Sequence, residues 1–250
     1  MTSGKRVALV TGAASGMGAA IARDLARDHA LCIADWNEEG LRASAAAIGG
    51  DVLARRLDVS DRAQVAAAVQ AIAARFGRLD VVVNCAGYSR SLTTKVALEQ
   101  AEAVFDEVVR VNLKGAYLIA AAAAPQLARP GGRIVNISSI SAFIGGRKPG
   151  SLAYAAAKAG VVGMTYALAR ELSPEGITAN AIAPGMVEGT GFVASAGNTD
   201  ERLRLILSET PAGRGGTVDD VVAASRYLTS PEASFVTGQV LHVNGGWLFH

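Results

Sequence analysis

The sequence of 250 residues predicts an α/β fold: one domain on a doubly wound, seven-stranded parallel sheet flanked by helices. Three observations predict it. Short runs of Val, Ile, Leu and Ala alternate with segments of helical spacing, an order that calls for βαβ units with right-handed crossovers. The first apolar run breaks into a glycine-rich turn followed by a helical segment, the local pattern of a phosphate-binding strand–turn–helix. Half of the residues are apolar, enough for one large core, and nothing marks a linker, so residues 1–250 are taken as a single domain.

The elements follow in order. Arg6 to Val10 is the first strand, ending in Thr11-Gly-Ala-Ala-Ser-Gly-Met-Gly18, and Ala19 to Arg27 has helical composition. Gly12, Gly16 and Gly18 let backbone N–H groups come close to a pyrophosphate, and the helix directs roughly +0.5 charge at the anion. Leu31 to Ala34 is the second strand and delivers Asp35 to the carboxyl edge, seventeen residues after Gly18. A carboxylate there accepts from both ribose hydroxyls and repels a 2′-phosphate. Neither Ala13, Ala14 nor Trp36 offers the positive charge a phosphate needs, so NAD is expected rather than NADP. The alternative role for Asp35 is to cap the helix from Glu38 to Ile48, for which Asn37 competes.

Val52 to Leu57 forms the third strand, followed by Asp58-Val59 and a helix from Asp61 to Phe76 with Val65, Val69 and Ile72 on one face. Val81-Val-Val83 is unbroken and β-branched, as a strand buried on both faces requires, and runs into Asn84-Cys-Ala-Gly87. A long helix is expected from Glu102 to Leu127, with Asn112 inside it. Gly132 to Ser138 is the fifth strand, and Ser139 follows it. Ala153 to Leu172 is helical, Ile177 to Ile182 is the sixth strand, and it ends in Pro184-Gly185. Val218 to Leu228 is the last helix and Gln239 to Val243 the seventh strand.

Tyr154-Ala-Ala-Ala-Lys158 opens one of those helices, and positions four apart lie on one face. An ammonium beside a phenol makes it an acid or base near neutrality. Lowering a pKa of about 10 to about 7 takes roughly 4 kcal/mol, which one cation at about 4 Å can supply where the effective dielectric is near 20.

Composition excludes other classes. Net charge is +2 with scattered basic residues, so there is no charge stripe for nucleic acid. The three histidines, His29, His242 and His250, are far apart and outside any ligand spacing, so no metal site is expected. Cys32 and Cys85 fall in or beside buried strands, as reduced thiols of an intracellular protein do. The apolar run from Ala116 to Ala124 is about half of a membrane span, and the N-terminus lacks a secretory apolar region. A soluble, cytoplasmic protein is expected.

Taken in order, Thr11-Gly-x3-Gly-x-Gly18, Asp58-Val59, Asn84-Cys-Ala-Gly87, Tyr154-x3-Lys158, Pro184-Gly185, Thr237-Gly-Gln and Asn244-Gly-Gly246 resemble the short-chain dehydrogenase/reductase family across essentially the whole chain. The resemblance implies a Rossmann-like fold. It implies that Gly12, Ser15, Gly16, Met17 and Gly18 hold the pyrophosphate, Asp35 the adenosine ribose, and Asp58 and Val59 the adenine. Asn84, Ala86 and Gly87 would line the crevice, with Cys85 where a second asparagine is usual. The catalytic group would be Asn112, Ser139, Tyr154 and Lys158, and Tyr154 and Lys158 would also contact the cofactor. Pro184, Gly185, Val187 and Thr190 would hold the nicotinamide, although Gly189 is inserted before the threonine. Ser139 lies fifteen residues before Tyr154 and Ser141 thirteen. Ser139 is preferred because the strand end fixes its place, while the loop from Gly145 to Gly150 absorbs the extra residues.

The implied reaction is reversible hydride transfer between NAD and a secondary alcohol or its ketone, with Tyr154 as general acid and base. A substrate wall would comprise Tyr88, Ser141, Phe143, Met186 and Phe192, with Ile144, Arg90 and Arg147 nearby and a lid over about 186–210. The two arginines face either an acid or solvent. The alternatives are an NADPH-dependent 3-oxoacyl or polyketide-type ketoreductase, a sugar or polyol dehydrogenase, or a silent dinucleotide sensor. A homotetramer is expected, packed through the helices 102–127 and 153–172, with the apolar Trp247-Leu-Phe-His250 at an interface.

Overall fold

The computed structural model describes residues 4–147, 149–190 and 207–249. Its centre is a seven-stranded sheet, parallel throughout, in the order β3-β2-β1-β4-β5-β6-β7. The strands are β1 (Arg6–Thr11), β2 (His29–Asp35), β3 (Val52–Arg56), β4 (Val81–Asn84), β5 (Arg133–Ile137), β6 (Thr178–Pro184) and β7 (Val240–Val243). The sequence order reverses between β1 and β4, which opens a crevice at the carboxyl ends of those strands.

Alternation along the strands sorts the core into two layers. Val7, Leu9, Cys32, Val82 and Ile134 face one side, where they meet α3 (Arg62–Phe76), α5 (Gly115–Ala123) and α7 (Leu152–Leu172). Ala8, Val10, Ile33, Val83 and Val135 face the other, against α1 (Gly16–Leu25), α2 (Glu38–Ile48) and α8 (Val218–Thr229). Burial on both faces is why residues 7–10, 30–34 and 81–83 are apolar without interruption. The caps are local. Asn37 accepts from the Gly40 amide at the head of α2, which answers the capping question in its favour and leaves Asp35 free of that role. Asp61 caps α3, and Thr217 with Asp220 closes a capping box on α8.

Several boundaries differ from the sequence expectation. The helix expected at Glu102–Leu127 starts earlier and is broken into α4 (Leu98–Val109), a π turn at Arg110–Lys114, α5, and a 3-10 turn at Ala124–Gln126. A single-turn helix, α6 (Ser141–Ile144), follows the serines and closes at Gly145 with φ +70. The stretch α7 with its following turn, Leu152–Glu175, is long and apolar enough to cross a membrane, but half of its apolar window is buried inside the protein, and Tyr154 and Lys158 are among its buried residues. It is a core helix.

Asp80 ties the amino-terminal edge together. It is 2% exposed, accepts from the Val7 amide at 2.7 Å and takes two bonds from Arg78 at 2.9 and 2.6 Å. Asp80→Ala leaves the buried Val7 N–H without an acceptor and is expected to lower the unfolding free energy by about 2–4 kcal/mol in urea titrations. Asp80→Asn retains that acceptor and should lose less.

Candidate active site

The glycine turn is shaped by close backbone approach. Gly12 has φ +70, and a Cβ there would lie 2.7 Å from the Ala86 nitrogen; one on Gly18 would lie 2.1 Å from the Gly12 carbonyl oxygen. Only Gly fits at either place. Over Gly16 the space is open except for the Thr190 methyl, 3.7 Å from a Cβ built there. Ser15 stands at the head of α1 in extended conformation and makes no side-chain cap, so the first amides of the helix have no side-chain acceptor. Met17, half-buried, packs beneath the turn on the core. Uncapped amides behind a glycine cradle fit a pyrophosphate.

Asp35 braces this turn. One carboxylate oxygen accepts from the Ala14 amide at 3.0 Å and the other from the Asn37 amide at 2.9 Å. Each oxygen keeps a lone pair for a ribose hydroxyl. Its register neighbour on β3 is Arg56. Asp58 accepts from the Ser60 amide and hydroxyl at 2.9 and 2.6 Å. Burial raises its pKa, but Ser60 and Arg110 outweigh burial and hold it below the usual value. Val59 is buried against Gly115, where a Cβ would fall 2.6 Å from the valine methyl.

Across the crevice, four residues converge. The Ser139 hydroxyl accepts from the Ser141 amide at 3.1 Å and shares a hydrogen bond with Tyr154. Ser141 instead lends its amide and begins α6, so Ser139 is the serine at the tyrosine. Lys158, 4% exposed, donates to the Ile137 carbonyl at 2.8 Å, and its ammonium lies 5.6 Å from the centre of the Tyr154 ring. Ser138 donates to the Lys158 carbonyl at 2.9 Å, pinning that turn of α7 to β5. Asn112 sits in the π turn, 1% exposed, and donates to the carbonyls of Tyr88 and Val108 at 2.8 and 2.9 Å. Its Oδ1 is buried and has no partner among the described residues. A Cβ on Gly87 would lie 2.5 Å from that oxygen and 3.3 Å from the Lys158 ammonium, so the glycine is what lets the two approach.

The electrostatics differ from the sequence expectation. Burial pushes Tyr154 up to about 12, against the lowering hydrogen bond from Ser139, so the phenol is protonated in this state. Burial also drives Lys158 down to about 8. The expectation of a lowered tyrosine took account of the cation and not of the loss of water around the phenol.

Other expected site residues are placed as follows. Asn84 donates to the Asn136 side chain at 2.9 Å, while its Oδ1 is buried with no partner among the described residues. Pro184 ends β6, and the Gly185 amide donates to the Val243 carbonyl at 2.9 Å. Val187 is buried and bridges to Gly216. The Thr190 hydroxyl is engaged within its own loop, donating to the Val187 carbonyl at 2.9 Å. Tyr88 packs with Leu92, Val104, Val108, Ala153 and Tyr154 in a small apolar cluster, and burial beside Glu107 pushes its pKa up to about 12. Phe143 packs against His242 with ring centres 4.7 Å apart and ring planes tilted by 54°. Met186 is half-buried and its carbonyl accepts from the Gly216 amide. Phe192 and most of the expected lid lie outside the described residues. Cys32 and Cys85 are free thiols, each pushed up to about 12 by burial.

The sequence missed a buried chain of side chains. Asn84 donates to Asn136, Asn136 to Thr165 at 2.9 Å, and Thr165 to the Val161 carbonyl at 2.7 Å. A polar Asn136 between the apolar Val135 and Ile137 was the available signal.

A family model described as enoyl-(acyl carrier protein) reductase matches residues 12–248. The chain belongs to the short-chain dehydrogenase/reductase family. It is therefore an oxidoreductase of a family that uses a nicotinamide cofactor. It is 37% identical over 245 residues to the 3-oxoacyl-(acyl-carrier-protein) reductase FabG of Staphylococcus aureus, covering 96% of each chain. It is 38% identical over 254 residues to the short-chain reductase protein NovJ of Streptomyces niveus, covering 98% of this chain and 94% of the relative. A solved short-chain type dehydrogenase/reductase from Mycobacterium ulcerans superposes with a TM-score of 0.89 at 33% identity, over 97% of this chain and 89% of that one.

The two buried groups titrate in opposite senses. Lys158 has its pKa lowered from 10.5 to about 8, so between those values the unfolded chain holds the extra proton and stability rises with pH. Tyr154 is raised from 10.0 to about 12, so over that interval the folded chain holds it and stability falls. Lys158→Met is expected to remove the rise below about pH 10, as read from denaturant midpoints at stepped pH.

Proposed function

We propose that this protein interconverts a secondary alcohol and its ketone, with NAD as the preferred cofactor. The observation that carries this proposal is the bonded Ser139–Tyr154 pair with Lys158 and Asn112 at the crevice opposite the glycine turn. A nicotinamide bound there supplies the hydride acceptor or donor. Ser139 holds the substrate oxygen. Tyr154 gives its hydroxyl proton to that oxygen in reduction and takes it back in oxidation. Lys158 favours the phenolate in that exchange, and Asn112, with its unpaired oxygen next to Gly87 and Lys158, is suited to hold a water for proton exit. The pyrophosphate falls to Gly12, Ser15, Gly16, Met17 and Gly18, the adenosine to Asp35, Asp58 and Val59, and the nicotinamide side to Ala86, Gly87 and the loop Pro184, Gly185, Val187 and Thr190. Tyr88, Ser141, Phe143, Met186 and Phe192 border the substrate. The protein acts in the cytoplasm, an assignment supported by its free thiols. A homotetramer is supported by the half-exposed Tyr117 and Tyr166 on α5 and α7 and by the exposed Phe249 of the C-terminal tail.

A second possibility is reduction of 3-oxoacyl substrates with NADPH. It is favoured by the names of the FabG relatives and by Arg56, which stands beside Asp35 in the sheet and is exposed.

Tyr154→Phe is expected to reduce turnover at least about 1000-fold, since the proton donor is lost, while calorimetry shows cofactor affinity within about threefold of wild type. Turnover retained in that variant overturns the assignment. Initial rates at matched concentrations should favour NAD over NADP. Asp35→Ser should invert or flatten the preference, and Arg56→Ala should leave it unchanged. A wild-type preference for NADPH that Arg56→Ala abolishes would establish the second possibility instead.

A further inference from the structure

The sequence puts two guanidiniums beside the expected substrate wall, and the structure shows that they differ in exposure. Arg90 is exposed, with half of its side-chain surface open to water, and is ion-paired with Glu107. Arg147 is different: only 19% of its side-chain surface remains accessible. It lies in the connection whose two ends carry Ser139 and Tyr154. That connection is fixed closely to both neighbours. A Cβ on Gly146 would lie 2.4 Å from Ser151, the residue that leads into α7, and the Gly150 carbonyl accepts from the Leu92 amide at 2.9 Å. One arginine nitrogen, Nη2, donates to Glu209 Oε1 at 2.6 Å, and Glu209 is 44% exposed. The other, Nη1, is shielded from water and has no acceptor among the described residues. Native structures satisfy such groups, and the planar guanidinium fork is built to hold two acceptors at once. A carboxylate is the strongest partner for it, roughly twice as strong as a neutral oxygen. Phe143, packed against His242, and the partly exposed Ile144 stand four and three residues before Arg147 in the sequence and suit a carbon chain.

We propose that Arg147 determines specificity and that the substrate is an oxo acid or the corresponding hydroxy acid, its carboxylate taken by Nη1. This proposal rests on the alcohol–ketone activity above. Glu209 fixes the sign of its test. A carboxylate already on the same guanidinium repels a second one, so neutralising Glu209 favours an acidic substrate.

The probes are 2-, 3-, 4- and 5-oxohexanoate, which vary the spacing between carbonyl and carboxylate, each compared with its methyl ester in steady-state reduction. Wild type should prefer at least one acid over its ester. Arg147→Met should lower that acid-to-ester ratio of kcat/KM by about 10- to 100-fold, chiefly through KM of the acid, and Arg147→Lys by less. Glu209→Gln should raise the ratio. If Arg147→Met and Glu209→Gln change acid and ester alike, Arg147 is only a clasp and the proposal fails. Reduction of neutral ketones without any oxo acid also overturns it and leaves the broader activity standing. If no ketone is turned over with either cofactor, the broader activity fails. Calorimetric titration of the oxohexanoates into NAD-loaded protein then tests Arg147 by itself: binding lost in Arg147→Met supports the site, and binding unchanged overturns it.

Discussion

A single ammonium held away from water sets the terms for the whole carboxyl edge of the sheet. Lys158 is almost fully buried, and an uncompensated ion in that position costs several kcal/mol, which is why its pKa falls to about 8. The chain answers with dipoles. Its ammonium meets the Ile137 carbonyl at the end of β5, and the next residue, Ser138, holds the Lys158 carbonyl in return. Two bonds between one strand end and one helical turn fix both the height and the rotation of α7. Because Tyr154 is one turn away on the same helix, its hydroxyl is positioned by the same pair of contacts.

The support extends inward. Asn84 and Asn136 are register partners on β4 and β5, and their side chains bond to each other and on to Thr165 of α7. Asn84 also reaches the Ala116 carbonyl at the start of α5, at 3.3 Å. Two strands and two helices are thus joined through amide and hydroxyl groups that admit few alternative arrangements. An apolar core tolerates small slips between helix and sheet; a chain of buried hydrogen bonds does not, since each broken link leaves an unsatisfied group costing about 1–3 kcal/mol. The π turn belongs to the same frame. It turns Asn112 inward beside Gly87, where a regular helix would carry the side chain to a different azimuth.

The sheet was legible in the sequence because β1, β4, β5 and β6 are buried on both faces and so each carries a short apolar run. The glycine turn was legible because steric exclusion at Gly12 and Gly18 admits no other residue. The π turn was not, since no residue type encodes an extra residue in a helical turn; the tertiary bonds of Asn112 select it. Arg147 and Glu209 are far apart in sequence, and nothing local pairs them. Thr190 was expected at the nicotinamide by its place after Pro184-Gly185, yet the inserted Gly189, at φ +71, lets the chain turn so that its hydroxyl closes on Val187.

Desolvation is the quantity that neighbour lists leave out, and Tyr154 shows its size. Bringing a phenol from about 12 to near 7 requires about 7 kcal/mol of selective stabilisation of the phenolate. An ammonium 5.6 Å from the ring centre contributes about 3 kcal/mol at an effective dielectric of 20. The Ser139 hydrogen bond already acts within the value of about 12 and closes none of that gap. The resting protein therefore falls short by a few kcal/mol, and Tyr154 remains a protonated phenol. Further positive charge or a proton-bearing oxygen would have to reach the tyrosine to close that gap, and the exclusion of water from the phenol is what makes it so large.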